Sequence, residues 1–428
     1  MNKDNPGGDI PVARSRLRRE LNLLYAVAVG LGAIIGAGIY VVTGVAAGVA
    51  GPSFLIGLLI AGAVATFNAL SSAQLAATYP QSGGTYEYGY QVLHPWFGFA
   101  AGWMFLASKL AAGGTVALGF AGYLASLFPA IPERPAAVGA VLLLTIVNYF
   151  GVQKTGSVNL VIVAVSVFAL VFFIISGIPV FDVENLQPFM PFGWGGALQS
   201  AALLFFAYTG YARLATLGEE VREPKKNIPR AIVLSLGIAL VLYVGVALVA
   251  VAGIGSQAMA RSASPLERAA QVFSLPGTSL IVSIGATTAM LGVLLSQVLG
   301  ISRMAYAMAR RRDLPPILDH VHQKYAVPDY GIILTGFFLV IVALFGTIEM
   351  IVAAASFTIL LYYSIANLAA LRMQAEDKLF PDWVPVLGLI SCLLLAITLE
   401  INVIASGLGL LVLGFLWRWL YHRWSKQA

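Results

Sequence analysis

Charge is the scarcest thing in this chain: Lys, Arg, Asp and Glu together make up 10% of its 428 residues, against roughly a quarter in an ordinary soluble domain. With 59% of the residues apolar, the composition is that of an integral membrane protein. Cysteine is almost absent. The single one, Cys392, lies in an apolar run, which excludes an intrachain disulfide framework and a zinc cluster, and leaves no extracellular thiol to bridge a partner chain. Histidine is scarce too: His94, His320, His322 and His422 fall in loops or at helix ends. A membrane enzyme needs a clustered nucleophile, acid–base or metal set, and the His320–His322 pair has no third ligand nearby. No phosphate-cradling P-loop occurs, which argues against ATP-driven pumping. No cofactor, metal or obligatory protein partner is expected. Acidic residues are missing from the depths of the apolar segments, which argues against the continuous polar pore of a channel. A secretory signal pattern is lacking as well. The first twenty residues are polar and basic, with Arg14, Arg16, Arg18 and Arg19, and are expected to stay in the cytoplasm.

What is present is a succession of apolar segments. At about twenty residues per crossing, twelve helices are expected near 22–47, 53–77, 97–127, 136–150, 156–178, 198–218, 231–253, 278–302, 331–347, 350–372, 383–399 and 402–421. The net charge of +6 would elsewhere suggest nucleic acid, but the basic residues sit in short loops and report orientation instead. Placing the N-terminus inside puts Lys154 and the basic loops at 222–230, 303–324, 372–378 and 418–426 on the cytoplasmic side. Only Arg134, Arg261 and Arg268 fall outside. An even number of spans, with both termini cytoplasmic in the inner membrane, follows.

Two basic residues belong to neither side. Lys109 lies about a dozen residues into the third helix, and Arg213 lies within the sixth. A membrane-embedded charge faces the bundle interior or water and is a candidate functional residue; snorkelling or structural pairing is the alternative. Two spans also carry helix-weakening sequences. The first contains Gly32-Ala33-Ile34-Ile35-Gly36-Ala37-Gly38-Ile39-Tyr40, and the sixth contains Phe205-Phe206-Ala207-Tyr208-Thr209-Gly210-Tyr211. Glycine weakens a helix by about 1 kcal/mol against alanine, and an unwound span is tolerated in lipid only where it is buried in protein or lines a cavity. Interruptions at corresponding places, each in the first helix of a five-helix half, suggest an inverted repeat holding a substrate at mid-membrane. The halves would be 21–178 and 196–372, followed by a helix pair at 382–421 and flanked by tails 1–20 and 422–428.

The Gly36-Ala37-Gly38-Ile39-Tyr40 stretch resembles the glycine motif of helix one in the amino acid-polyamine-organocation superfamily. Three further stretches resemble that family's signatures: Pro80-Gln81-Ser82-Gly83-Gly84-Thr85-Tyr86, the run from Phe205 through Glu219-Glu220 to Asn227-Ile228-Pro229-Arg230, and Gly300-Ile301-Ser302-Arg303 with Ala309-Arg310 and Leu314-Pro315. The resemblance runs from about residue 18 to the C-terminus. It implies a LeuT-like fold, a five-plus-five inverted repeat with two added helices, in which helices one and six are unwound at mid-membrane. It also implies a secondary transporter of amino acids.

A zwitterionic amino acid has one end for each kind of exposed backbone. N–H groups at the start of a half-helix suit its carboxylate, and carbonyls at the end of the preceding half suit its ammonium. By resemblance, Gly36, Ala37 and Gly38 would meet the carboxylate. Carbonyls near Ile34, Phe206, Ala207 and Thr209, beside Gly210, would meet the ammonium, and Phe206 would be the aromatic gate over the substrate. Ala37 stands where relatives often carry serine. Ala212 stands where many carry an acidic or amide side chain, which favours a neutral amino acid, and Arg213 either faces the cavity or pairs with Glu220. A cationic amino acid or polyamine as substrate, and exchange or export instead of uptake, stay open. So does coupling. Ser166 replaces the helix-five lysine of proton-coupled and ion-independent relatives and would be a neutral sodium ligand beside the Gly32 and Ile35 carbonyls. In helix eight Leu291 and Gly292 stand where some relatives have hydroxyls, with Thr287 and Thr288 a turn away. Lys109 is the lysine within the spans, and a proton-linked, a substrate-facing and a structural role are all compatible with its position.

Overall fold

The computed structural model describes residues 22–79, 83–151, 156–215 and 221–424. Pro80, Gln81, Ser82, Lys154, Glu219, Glu220 and both chain ends, and with them the expected pairing of Arg213 with Glu220, lie outside the described residues. Every regular element among the described residues is helical. The first span is α1 (Leu23–Ile34), a π-helical turn (Gly38–Val42) and α2 (Thr43–Ala50). Then follow α3 (Phe54–Thr78), α4 (Thr85–Tyr88) with a π-helical turn (Gly89–Leu93), α5 (Pro95–Leu127), α6 (Glu133–Tyr149) and α7 (Gly156–Gly177). The second half contains α8 (Gly193–Tyr208), a 3-10 turn (Thr209–Tyr211), α9 (Ala212–Ala215), α10 (Pro224–Ala260), α11 (Pro265–Ala270), α12 (Thr278–Arg310), α13 (Asp329–Phe345) and α14 (Ile348–Leu371). Two helices close the chain, α15 (Trp383–Ile397) and α16 (Ile401–Trp424).

Ten of the apolar segments each fall on a single one of these helices, while the first runs over α1, the π-helical turn and α2, and the sixth over α8, the 3-10 turn and α9 as far as it is described. Among the described residues seven helical stretches are long and apolar enough to cross a membrane, and α13 and α15 are shorter apolar helices. Local chemistry fixes several ends. The Asn22 side chain accepts from the Tyr25 N–H at 3.0 Å and caps α1. Pro95 opens α5, where a missing N–H costs nothing, and Gly51, at φ 61°, turns the chain out of α2. The sequence gives no periodic signal for α4 and α11, which are only 4 and 6 residues long.

α5 runs through the middle of the bundle against α12 and α14, while α3 packs on α8, α10 on α1 and α3, α7 on α12, and α6 on α13. Small residues permit these approaches: a Cβ on Gly57 would lie 2.9 Å from the Ala197 carbonyl oxygen, and one on Gly285 2.3 Å from the Ala169 Cβ. Close backbone contact is how helices associate where lipid removes the hydrophobic driving force. Large apolar side chains such as Phe168, Phe337, Phe345 and Leu413 are exposed on the outer faces, as a lipid-facing surface requires.

At one end of the bundle a buried ionic cluster ties α16 to the α4 turn. Asp313 is fully buried, forms an ion pair with Arg418 (Nε to Oδ1 3.1 Å), and accepts from the Tyr86 and Tyr90 hydroxyls at 2.9 and 2.5 Å. Arg418 also donates to the Pro95 carbonyl at 2.7 Å, and Arg311 pairs with Glu87 at 2.6 Å. Burial and the Asp313 carboxylate push the Tyr86 phenol well above its ordinary range, so it serves as a donor throughout the physiological range.

Candidate functional site

The first span breaks between Ile34 and Gly38. Ile35 adopts an extended conformation (φ −73°, ψ 111°), Ile35 and Gly36 lie outside any helix, and Ala37 is helical again, so the break is these two residues followed by a new N-terminus. The carbonyls that end α1 and the N–H groups that begin the next half have no helical partners by construction. None of Gly32, Gly36 and Gly38 has a positive φ; Ile35 and Gly36 share the break, and Gly38 serves close approach of backbones. A Cβ on Gly38 would stand 2.4 Å from the Ala207 Cα, and one on Gly210 would stand 2.1 Å from the Ala33 carbonyl oxygen. The first and sixth spans therefore meet backbone to backbone on both sides of the break.

The sixth span differs from its expectation. It is not unwound among the described residues: Tyr208 (φ −98°, ψ −13°) and Thr209 (φ −67°, ψ −2°) stay near helical values, and the interruption is the 3-10 turn Thr209–Tyr211. A turn of this kind tightens the helix without reversing it. It still frees carbonyls from the α-helical ladder, and Gly210 keeps room for the α1 backbone.

Ile34, Gly36, Ala37 and Gly38 line one cavity together with Phe206, Ala207, Thr209 and Gly210. α5 adds Lys109 and Val116, and α12 adds Val293 and Gln297. The open space is about 30 Å³, room for about two water molecules, so an amino acid requires the walls to move apart. Phe206 is 9% exposed and forms part of the wall.

The carbonyls expected to meet an ammonium already accept from protein hydroxyls. Tyr243 on α10 donates to Ile34 at 2.8 Å and to Ala207 at 3.4 Å. The Thr209 hydroxyl donates to Phe206 at 2.9 Å, and Tyr363 on α14 donates to Thr209 at 3.4 Å. Each carbonyl oxygen has two lone pairs; Phe206 uses both, because it also accepts the Thr209 N–H, whereas the hydroxyl contacts take one each on Ile34, Ala207 and Thr209. Tyr123 holds the other side of the break by donating to the Tyr40 carbonyl at 2.7 Å. Tyr123, Tyr243 and Tyr363, and the lining residues Val116, Val293 and Gln297, were not singled out by motif. For the tyrosines and Gln297 the signal in the sequence is limited to polar groups inside apolar runs that need a buried partner; Val116 and Val293 carry none.

Lys109 reaches the cavity. Its ammonium lies 5.7 Å from the centre of the Phe105 ring, and no acidic residue lines the cavity among the described residues. Ser166 does not line it. Its hydroxyl donates back to Ile162 at 2.7 Å and its carbonyl is 3.5 Å from the Tyr40 hydroxyl, whereas the side chains facing Gly32 are Val163 and Asn159. Thr287 likewise turns its hydroxyl to Ser283 at 2.8 Å. Ala212 and Arg213, in α9 beyond the turn, are outside the lining. The loop histidines are structural: His320 contacts Asp329 at 2.7 Å, and His322 accepts the Lys324 N–H at 3.2 Å.

The family profile described as amino acid permease matches residues 26–426. The chain belongs to the amino acid permease family. Its relatives include an uncharacterized transporter of Mycobacterium tuberculosis, 42% identical over 95% of this chain and 91% of that protein. The branched-chain amino acid permease BcaP of Bacillus subtilis is 30% identical over 95% of this chain and 94% of its own length. The methylthioribose transporter of the same organism is 32% identical over 88% and 86%. The permease is accordingly a multi-pass membrane transporter and not an enzyme, and the cavity just described lies inside the region matched by the family.

Proposed function

We propose that this permease carries neutral L-amino acids across the cytoplasmic membrane by alternating access, with the substrate held between the broken first span and the turn in the sixth. The observation that carries the reading is the convergence of Ile34, Gly36, Ala37, Gly38, Phe206, Ala207, Thr209 and Gly210 on one cavity. The N–H groups beginning at Gly36 take the carboxylate, favoured by the half-helix dipole. The carbonyls of Ile34, Ala207 and Thr209 take the ammonium with their remaining lone pairs. Val116, Val293 and Phe206 supply apolar surface for the side chain, which agrees with a relative named for branched-chain amino acids.

The packing supports twelve crossings built as a LeuT-like inverted repeat with two added helices. If the helix set from α1 to α7 and the set from α8 to α14 are related by a pseudo-twofold, each contact should have a counterpart. The α1–α10 contact corresponds to α8–α3, α5–α14 to α12–α7, and α1–α7 to α8–α14. The α5–α12 and α6–α13 contacts map onto themselves. Both termini would lie in the cytoplasm, as the loop charges require. Proton and sodium coupling are both compatible with this frame.

Counterflow tests the reading. Proteoliposomes loaded with unlabelled L-leucine should accumulate labelled L-leucine, with and without sodium and a pH gradient. Failure across a panel of amino acids and polyamines would overturn it.

A further inference from the structure

Among the described residues that line the amino-acid site, Lys109 is the charged one and no acidic side chain faces it. Lys109 lines the cavity from α5, and its closest charge contact is the face of Phe105 at 5.7 Å. Among the described residues its ammonium makes no hydrogen bond or ion pair. The lining on the other side is Phe206, Ala207, Thr209 and Gly210, and α12 contributes Val293 and the amide Gln297. A cation in such a place raises the free energy of any second cation brought beside it. At roughly 5 Å and an effective dielectric of about 20, the repulsion amounts to a selectivity on the order of a hundredfold before solvent relaxation reduces it. A carboxylate is favoured by the same field.

The backbone around Gly36 and Gly38 already serves the α-carboxylate, and the carbonyls of Ile34, Ala207 and Thr209 each accept one hydroxyl and offer their other lone pair to the α-ammonium. Lys109 is separate from both sets and enters the cavity from another helix, with Gln297 of α12 also in the lining, where a substrate side chain would lie. The apolar walls accept an uncharged side chain. The ammonium of Lys109 and the amide of Gln297 would bind a terminal carboxylate, as paired donors suit an anion.

Resting on the amino-acid reading above, we propose that Lys109 is a charge filter of the side-chain subsite: it excludes cationic amino acids and admits acidic ones alongside neutral ones. Lys109 is then the residue that sets substrate class, separate from the backbone groups that recognise every amino acid.

The test is competition against labelled L-leucine counterflow by unlabelled L-glutamate, L-glutamine and L-lysine. Glutamate and glutamine share a shape, so their difference reports charge. In the wild type, glutamate should compete at least as well as glutamine, and lysine at least tenfold worse. Lys109→Met should bring lysine within about threefold of glutamine, and Lys109→Glu should place lysine ahead of glutamate. Thermal stabilisation of the purified wild type by the same three ligands supplies a readout that needs no active variant, and lysine should stabilise least. Equal potency of lysine and glutamine on the wild type, or an unchanged ratio in Lys109→Met, would overturn the filter while leaving the permease reading intact. A wild type that moves no leucine and is stabilised by none of the three would overturn both.

Discussion

Tyr243 caps the broken first helix: its hydroxyl donates to the Ile34 carbonyl at 2.8 Å, in the position where the next turn of an unbroken helix would have supplied an N–H. The same hydroxyl is 3.4 Å from the Ala207 carbonyl, so one side chain from α10 bridges both interrupted spans. Tyr243 is fully buried, and no water is needed to satisfy these groups. The hydroxyl also sets the distance between the two halves of the site.

Replacing Tyr243 by Phe keeps the ring and removes the donor. An unsatisfied buried acceptor costs about 1–3 kcal/mol, although hydrogen bonds inside membrane bundles average nearer 0.6 kcal/mol. We expect Tyr243→Phe to lower the melting temperature of the purified protein by a few degrees and to reduce transport about tenfold, with expression in the membrane retained. Unchanged transport and stability would show that the bridge does not position the site.

Gly210 tests the same contact from the other side. Its missing side chain lets the α1 backbone approach, since a Cβ would meet the Ala33 carbonyl oxygen at 2.1 Å and the Ile34 nitrogen at 2.5 Å. Neither obstacle is a flexible side-chain end. Gly210→Ala should therefore lower thermal stability and transport together, whereas Gly237→Ala, with open space around its Cβ position, should leave both within about 0.5 kcal/mol or its equivalent in rate.

The cluster at the bundle end makes a prediction independent of substrate. Asp313 and Arg418 are both buried, at 0% and 7% exposure, and removing one partner of such a pair leaves an uncompensated charge, which costs about 3–5 kcal/mol in soluble proteins. Arg418→Met should lower the melting temperature by several degrees and free α16 from the α4 turn, seen as faster proteolysis near the C-terminus. Arg423→Met, at an exposed position, should change it by about one degree or less.

The lone cysteine gives a clean background for labelling. Cys392 is fully buried in α15 and bonded to the Asn68 side chain at 3.3 Å, and burial leaves it unreactive. Wild-type protein should resist a membrane-impermeant thiosulfonate reagent. Ala37 is also buried, at 2% exposure, but lines the cavity, so Ala37→Cys should react as the walls move apart in the transport cycle, and saturating L-leucine should slow that reaction severalfold; an equal rate with and without leucine would move the substrate away from the break.

The parts of this fold carried by local composition were legible in the sequence. Apolar length located each major helix, and two of the glycines that mark weak points in the sequence, Gly38 and Gly210, lie where the first and sixth spans approach backbone to backbone. The way the first span breaks was less legible: the extended residue is Ile35, held there by Tyr243 and Tyr123 from other helices. The sixth span closes into a 3-10 turn because Thr209 satisfies Phe206 through its own hydroxyl, a local alternative to unwinding. Tertiary partners lay beyond the reach of pattern. Asp313 meets Arg418, 105 positions later in the sequence, and the Ser166 hydroxyl bonds to Ile162 of its own helix.

The central claim is that the contact between Gly38 and Ala207 is part of the amino-acid site. Labelled L-leucine counterflow by Gly38→Leu protein, reconstituted at the same density as wild type, tests it most directly, because a Cβ at that position already stands 2.4 Å from the Ala207 Cα. The account predicts that the variant inserts into the membrane and elutes as a folded protein but shows no counterflow above empty liposomes. Counterflow at the wild-type rate would contradict it.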